Sequence, residues 1–184
     1  MPSLPRLVTA AELDDYPDDG KRYEVIGGQL YVWTTPMREH QELSGRLFYQ
    51  VYKSAESSHW GKAYFLPVNV RFSDYDQVQP DIIVLRTDHD GVYRGNTVFG
   101  PPDVVIEILS PPHQAFDEVE KFRLYETNGV PEYWIGDPDL PNLRLFALRD
   151  GVYVPIPPES GLLRSTVVPN LTVDPEKLLA NLGQ

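Results

Sequence analysis

Two acidic residues interrupt apolar runs, and both stand where a carboxylate could do chemistry. Asp81 heads the run Asp81-Ile82-Ile83-Val84-Leu85, and Glu107 lies inside Asp103-Val104-Val105-Ile106-Glu107-Ile108-Leu109. Each run reads as a short strand buried on both faces, because it lacks the polar alternation of a half-exposed strand. A carboxylate in such a strand costs several kcal/mol unless it is paired or metal-bound. If the two strands pair antiparallel, the start of one lies beside the end of the other. Both carboxylates then occupy one end of the sheet, ~4–6 Å apart, and can share a hard cation through metal–oxygen bonds of ~2.0–2.6 Å. The competing reading is a structural ion pair, for example with Arg71 or Lys121.

Three further side chains belong to the same question. Lys121 follows the Glu107 strand on the next helical segment, four residues after Asp117. It either pairs with Asp117 on the surface, worth a few tenths of a kcal/mol, or turns back toward the two carboxylates. Glu24 breaks the run Tyr23-Glu24-Val25-Ile26 as Glu107 breaks its own, and as an edge residue it could equally face water. His40 shares a helical stripe with Leu43 and Leu47 and reads as a packed, hydrogen-bonded histidine or as a site residue. His59, His89 and His113 show no metal-ligand spacing with it or with one another. The chain has no Walker loop, no GxGxxG after a strand, no HExxH and no Gly-x-Ser-x-Gly.

The elements that must position these residues can be read in order. Thr9-Ala10-Ala11-Glu12 has the form of a capping box and opens a short helix over 9–16. Tyr23 to Trp33 reads as a hairpin split at Gly27-Gly28. Leu43, Leu47, Val51 and Ala55 recur every four residues, which predicts a helix over 36–57 with Pro36 in its first turn. Strands follow at 63–72, at 81–85 and at 103–109, the last stopped by Ser110-Pro111-Pro112, with a polar loop over 88–100. A helix over 115–128 ends at Asn128-Gly129, and Tyr133-Trp134-Ile135 is a strand. Leu143–Leu148 and Val152–Ile156 form a hairpin around Asp150-Gly151, and 174–182 is a short helix. This order predicts an α/β fold in which helices pack on a mixed sheet.

Composition removes whole classes of function. The 184 residues fit one domain, 1–184, and 41% hydrophobic content supports a sizeable core. With no cysteine, disulfide scaffolds, thiolate zinc sites, iron–sulfur clusters and cysteine nucleophiles are excluded. The 18 prolines are about twice the usual ~5% and favour short strands and rigid turns over long helices. No apolar run approaches the ~18 residues of a membrane helix, and the acidic start does not read as a signal peptide, so a cytoplasmic protein with no membrane partner is expected. The formal net charge of −11 is spread along the chain, so no general attraction to nucleic acid is encoded. Contact with DNA or RNA would need a local patch, a metal or an oligomer.

Four ordered motifs give the chain a likeness. Pro80-Asp81-Ile82-Ile83-Val84, then Gly100 to Pro111 with Glu107, then Asp117, Lys121 and Tyr125, then Gly129 to Pro138 resemble the bacterial "putative restriction endonuclease" family, which has the restriction-endonuclease-like fold. Tyr23 to Leu30 and His40 also match its amino-terminal pattern, and the likeness spans about residues 8–180. It implies a restriction-endonuclease-like core carrying an added N-terminal helix and hairpin. It also implies a catalytic set of the PD-(D/E)xK type, with Asp81 and Glu107 binding Mg²⁺ or Mn²⁺ and DNA as substrate. The lysine of the general pattern, two residues after Glu107, is replaced by Leu109, and Lys121 is its natural substitute. Glu24 then serves as a second metal ligand or as an orienting base. A homodimer or higher homo-oligomer is expected, since two sites are needed to cut both strands of a duplex. The carboxy-terminal hairpin with Pro155 to Pro158 is the candidate contact. Two other classes compete: a non-catalytic nucleic-acid or protein interaction module that keeps the fold, and a glycosidase-like hydrolase using Asp81 and Glu107 as an acid–base pair. Removing either carboxylate is expected to relieve repulsion between them.

Overall fold

The computed structural model describes residues 6–65, 67–110, 116–140 and 142–184, with the side chains of Asp90 and Asp117 outside that description. His113 and the Pro111-Pro112 strand stop also lie outside the described residues. The capping box forms: Glu12 N–H donates to Thr9 Oγ1 at 3.3 Å and Thr9 N–H to Glu12 Oε2 at 2.8 Å. The helix it opens, Ala10–Asp15, is a 3₁₀ turn. Strands β1 (Arg22–Ile26) and β2 (Gln29–Trp33) make the expected hairpin. Gly27 and Gly28 take φ of 57° and 77°, the two positive values that this tight turn requires. Helix α1 (Arg38–Ser57) begins two residues after Pro36 and buries His40, Leu43, Leu47, Val51 and Ala55.

The stretch 63–72, expected as one strand, is two: β3 (Gly61–Phe65) and β4 (Asn69–Ser73), in different sheets. Pro67 lies between them and has no N–H to give a ladder. A short β5 (Asp76–Val78) precedes β6 (Ile82–Arg86). The expected loop over 88–100 holds a 3₁₀ turn, Thr87–Val92, and the small hairpin of β7 (Tyr93–Arg94) and β8 (Thr97–Phe99). After β9 (Val104–Ile108), one π-helical turn, Phe116–Lys121, runs into α2 (Phe122–Thr127). The chain ends with β10 (Glu132–Asp137), the hairpin of β11 (Asn142–Arg149) and β12 (Val152–Ile156), the pair β13 (Leu163–Arg164) and β14 (Thr172–Val173), and α3 (Pro175–Leu179).

The central sheet has the order β12-β11-β10-β9-β6-β3 and is mixed, because β9 and β10 run parallel while its other pairs are antiparallel. One face carries Ile82, Val84, Val104, Ile106 and Trp134 and packs against Leu43, Leu47 and Val51 of α1. The other face carries Ile83, Val105, Tyr133 and Ile135. It packs against α2 and against Val70, Val78 and Val98 of a second six-stranded sheet, β2-β1-β5-β4-β8-β7. The mixed sheet flanked by helices is therefore as expected, and the amino-terminal hairpin is the edge of a whole added sheet. One register matters for the site. In the antiparallel β6–β9 pair, Ile82 faces Ile106, so the next position places Asp81 opposite Glu107. No helix among the described residues is long and apolar enough to cross a membrane.

Candidate active site

Asp81 and Glu107 meet at one end of the central sheet, and the elements around them each contribute one layer. Asp81 is 1% exposed. Its Oδ2 accepts from Ile108 N–H at 2.8 Å and lies 3.1 Å from His40 Nε2, and its Oδ1 accepts from Arg22 Nη2 at 3.0 Å. Burial acts to raise the Asp81 carboxyl, but the hydrogen bond and charge of His40, the Arg22 guanidinium and the Ile108 amide outweigh it and hold it at about 2. The His40 nitrogen facing a carboxylate carries the proton, since an ionised carboxylate only accepts. Behind it, Ser44 Oγ lies 3.4 Å from His40 Nδ1 while donating to the His40 carbonyl at 2.7 Å.

Glu107 has a different set of partners. Lys121 Nζ and the Tyr125 hydroxyl both donate to its Oε1, at 3.0 and 2.6 Å. Lys121 Nζ lies equally 3.0 Å from Oε1 of Glu24, which is wholly buried. Glu24 also accepts from Gln79 N–H at 2.7 Å and from Trp33 Nε1. Lys121 thus turns inward, 3% exposed, and bridges a carboxylate of β9 to one of β1. Its place in the π-helical turn brings it over the Phe116 ring, 5.8 Å from the centroid. Leu109 is buried in the apolar cluster between the sheets, where a lysine would lie in an apolar setting, so the ammonium comes from the helix side instead. Burial and then the Glu107 charge push the Tyr125 phenol well above its ordinary value.

The structure brings together all four residues singled out for chemistry, Asp81, Glu107, Lys121 and Glu24, and adds His40. Arg71, the alternative ion-pair partner, lies elsewhere and holds Gln77 and the Ala10 carbonyl. Arg22 and Tyr125 carry a role that no single position announces. Arg22 stands two residues before Glu24 on a strand, hence on its face, and Tyr125 stands four after Lys121 on a helix. Burial works against the Arg22 charge, but Asp81, Glu107 and Glu24 outweigh it and raise the group. Asp81 is therefore paired with Arg22, while Glu107 and Glu24 share Lys121. Removing one does not chiefly relieve repulsion, as the sequence alone suggested; it strands a buried positive charge. The centre opens on a cavity of about 100 Å³ that Trp33, Pro36 and Met37 help to enclose.

Among the described residues no three His, Asp or Glu side chains form a metal-ligating group. Asp81 and Glu107 still fit a Mg²⁺-like ion. That ion is held through one or two carboxylates plus water and phosphate oxygens, and the donors here are all oxygen. The His40, Arg22 and Ile108 partners hold Asp81 ionised, which ligation requires.

The Uma2 family model, described as "Putative restriction endonuclease", matches residues 10–176. The chain belongs to that family. A solved structure, titled as a putative nuclease belonging to DUF820 from Anabaena variabilis, aligns with a TM-score of 0.78. The alignment covers 94% of this chain and 97% of that one at 18% identity, and so establishes a shared fold, the restriction-endonuclease-like one. No curated protein matches the chain. In this Uma2 chain, the resemblance drawn from four short motifs holds over nearly the whole length.

Proposed function

We propose that this Uma2 protein is a divalent-metal-dependent nuclease that hydrolyses phosphodiester bonds in DNA, with Asp81 and Glu107 holding Mg²⁺ or Mn²⁺. The observation that supports it is the facing of Asp81 and Glu107 across β6 and β9, with Lys121 poised between Glu107 and Glu24. Bound at these carboxylates, the metal supplies a Lewis acid for water and for the phosphate charge. The remaining work falls to the protein's own groups. Lys121 offers a fixed ammonium to charge that develops on phosphate oxygens, at a site dry enough for it to matter. Glu24 and Tyr125 hold that ammonium and Glu107 in place. Arg22 and His40 keep Asp81 ionised and oriented.

In a glycosidase-like pair Asp81 could not be the general acid, which needs a raised carboxyl pKa, because it is held at about 2. A homodimer is part of the proposal, because one centre cuts one strand and a two-fold axis brings a second to the duplex. The test incubates the protein with single- and double-stranded DNA, with Mg²⁺, with Mn²⁺ and with chelator. Cleavage only with metal supports the proposal; no cleavage with any ion supports the non-catalytic interaction module.

A further inference from the structure

Along one flank of α1, facing the carboxy-terminal segment, runs a groove of about 710 Å³. We propose that it binds single-stranded DNA, with its cations on phosphates and Tyr49 against a base. The proposal rests on the nuclease reading for its ligand, but none of its residues lines the catalytic cavity.

Charge sets this groove apart. The chain has 27 acidic and 16 basic residues, yet Arg46, Lys53 and Lys177 line the groove and, among the described residues, none of its lining is acidic. Arg164 adds a fourth cation beside it, donating from Nη1 to Thr172 Oγ1 of the wall at 3.3 Å. Two of the four are held already. Arg46 donates to the Leu178 and Ala180 carbonyls at 2.9 and 2.6 Å and pairs with Glu42, so it fixes the carboxy-terminal wall against α1. Lys177 pairs with Asp174 at 3.0 Å, but its side chain is 85% exposed, and an ion pair in water is weak enough to exchange for a phosphate. Lys53 and Arg164 meet no carboxylate among the described residues. In a molecule of net charge −11, this is a local patch of the kind that a polyanion needs.

Tyr49 decides which polyanion fits. It is 65% exposed, and no ring among the described residues packs on it. Arg46, Tyr49 and Lys53 are three and four residues apart on a helix, hence on one face. The two cations stand ~10 Å apart along the axis with the aromatic ring between them. Cations interleaved with an aromatic side chain can track the backbone of a single strand while stacking its bases. A duplex keeps its bases stacked inside, and an acidic peptide or a polyphosphate would use the cations and leave the ring idle.

Helix α1 also ties the groove to the catalytic centre. His40, in its first turn, lines the catalytic cavity, and Lys53 follows thirteen residues later, ~20 Å along the axis. A strand spanning that distance needs ~6 nucleotides at 3.4 Å each. The groove thus adds a metal-independent hold on a strand a few nucleotides from the cut.

The test measures binding of a labelled oligothymidylate to the full chain by fluorescence anisotropy, in chelator, so that no metal is bound. The parent should bind. Lys53→Ala and Tyr49→Ala should each weaken binding by about tenfold with an unchanged melting curve. Lys53→Ala should also lower the slope of log affinity against log salt by ~0.7. Duplex DNA, polyphosphate and polyglutamate should bind more weakly and ignore Tyr49→Ala. No binding by the folded parent, binding unaffected by both substitutions, or equal affinity for any of the three competitors overturns the groove. A parent that binds through Lys53 and Tyr49 yet cleaves no DNA with metal overturns the nuclease reading alone. A parent that cleaves DNA with metal while its binding ignores both substitutions overturns the groove alone.

Discussion

Lys121 bridges two carboxylates, Glu24 and Glu107, that are 0% and 2% exposed, so its replacement removes the ammonium that both share. Lys121→Met should lower unfolding free energy by about 3–5 kcal/mol at neutral pH, the cost of breaking a buried pair from one side. Urea denaturation checks this, and a loss below about 1 kcal/mol would mean that water reaches the pair. Lys121→Ala should also slow cleavage while metal affinity, read by calorimetry, persists, because the ammonium is proposed to stabilise charge and not to coordinate. Asp81 sets a pH dependence. Its folded pKa of about 2 lies below the ordinary carboxyl value, so its stabilisation is full above about pH 4 and is lost as pH falls toward 2. Denaturation series from pH 5 to pH 2 should therefore fall more steeply in the parent than in Asp81→Asn. Equal slopes would show that Arg22 and His40 do not hold the charge. Asp81→Asn itself should cost about 1–3 kcal/mol at pH 7 through the stranded Arg22 and His40.

The elements hold these groups by contacts of unequal tolerance. An added Cβ at Gly61 would run into the backbone carbonyl of Leu85 across the β3–β6 pair, and backbone cannot yield cheaply. At Gly136 it would meet Ile108 Cδ1 at 2.8 Å and Leu43 Cδ2 at 3.2 Å, which are ends of flexible side chains. Gly61→Ala should thus lower the melting temperature more than Gly136→Ala; the reverse order would mean that β3 shifts freely at the sheet edge. How much of this was legible in the sequence follows from the same contacts. The carboxylates of Asp81 and Glu107 were legible because a charge inside an apolar run has few explanations. The α1 stripe was legible because Leu43, Leu47 and Val51 share one face of 3.6-residue periodicity. The second sheet was not, because β5, β7 and β8 have three, two and three residues, too short to show alternation. The split of 63–72 turned on Pro67, which within a run can equally mark an edge strand. Arg22 and Tyr125 gain their roles only when β1 and α2 converge on β9, which no local pattern states.

At the scale of the molecule, a net charge of −11 sets the problem of finding an anionic substrate. Most carboxylates are spread over the surface, whereas those of the centre are matched by Arg22, Lys121 and His40. Under the proposed function, affinity for DNA would come mainly from the centre, a metal held there and a second copy. The proposed dimer predicts twice the chain mass in light scattering at micromolar concentration, and a monomer alone would contradict it. The central claim, that Asp81 and Glu107 form a metal-dependent phosphodiester-cleaving centre, is tested most directly by one cleavage assay. Parent, Asp81→Asn and Glu107→Gln are incubated with single- and double-stranded DNA across a titration of Mg²⁺ and of Mn²⁺, each variant first shown to be folded. The account predicts metal-dependent cleavage by the parent and none by either variant. Cleavage by a folded Asp81→Asn protein at the parent's rate would contradict it.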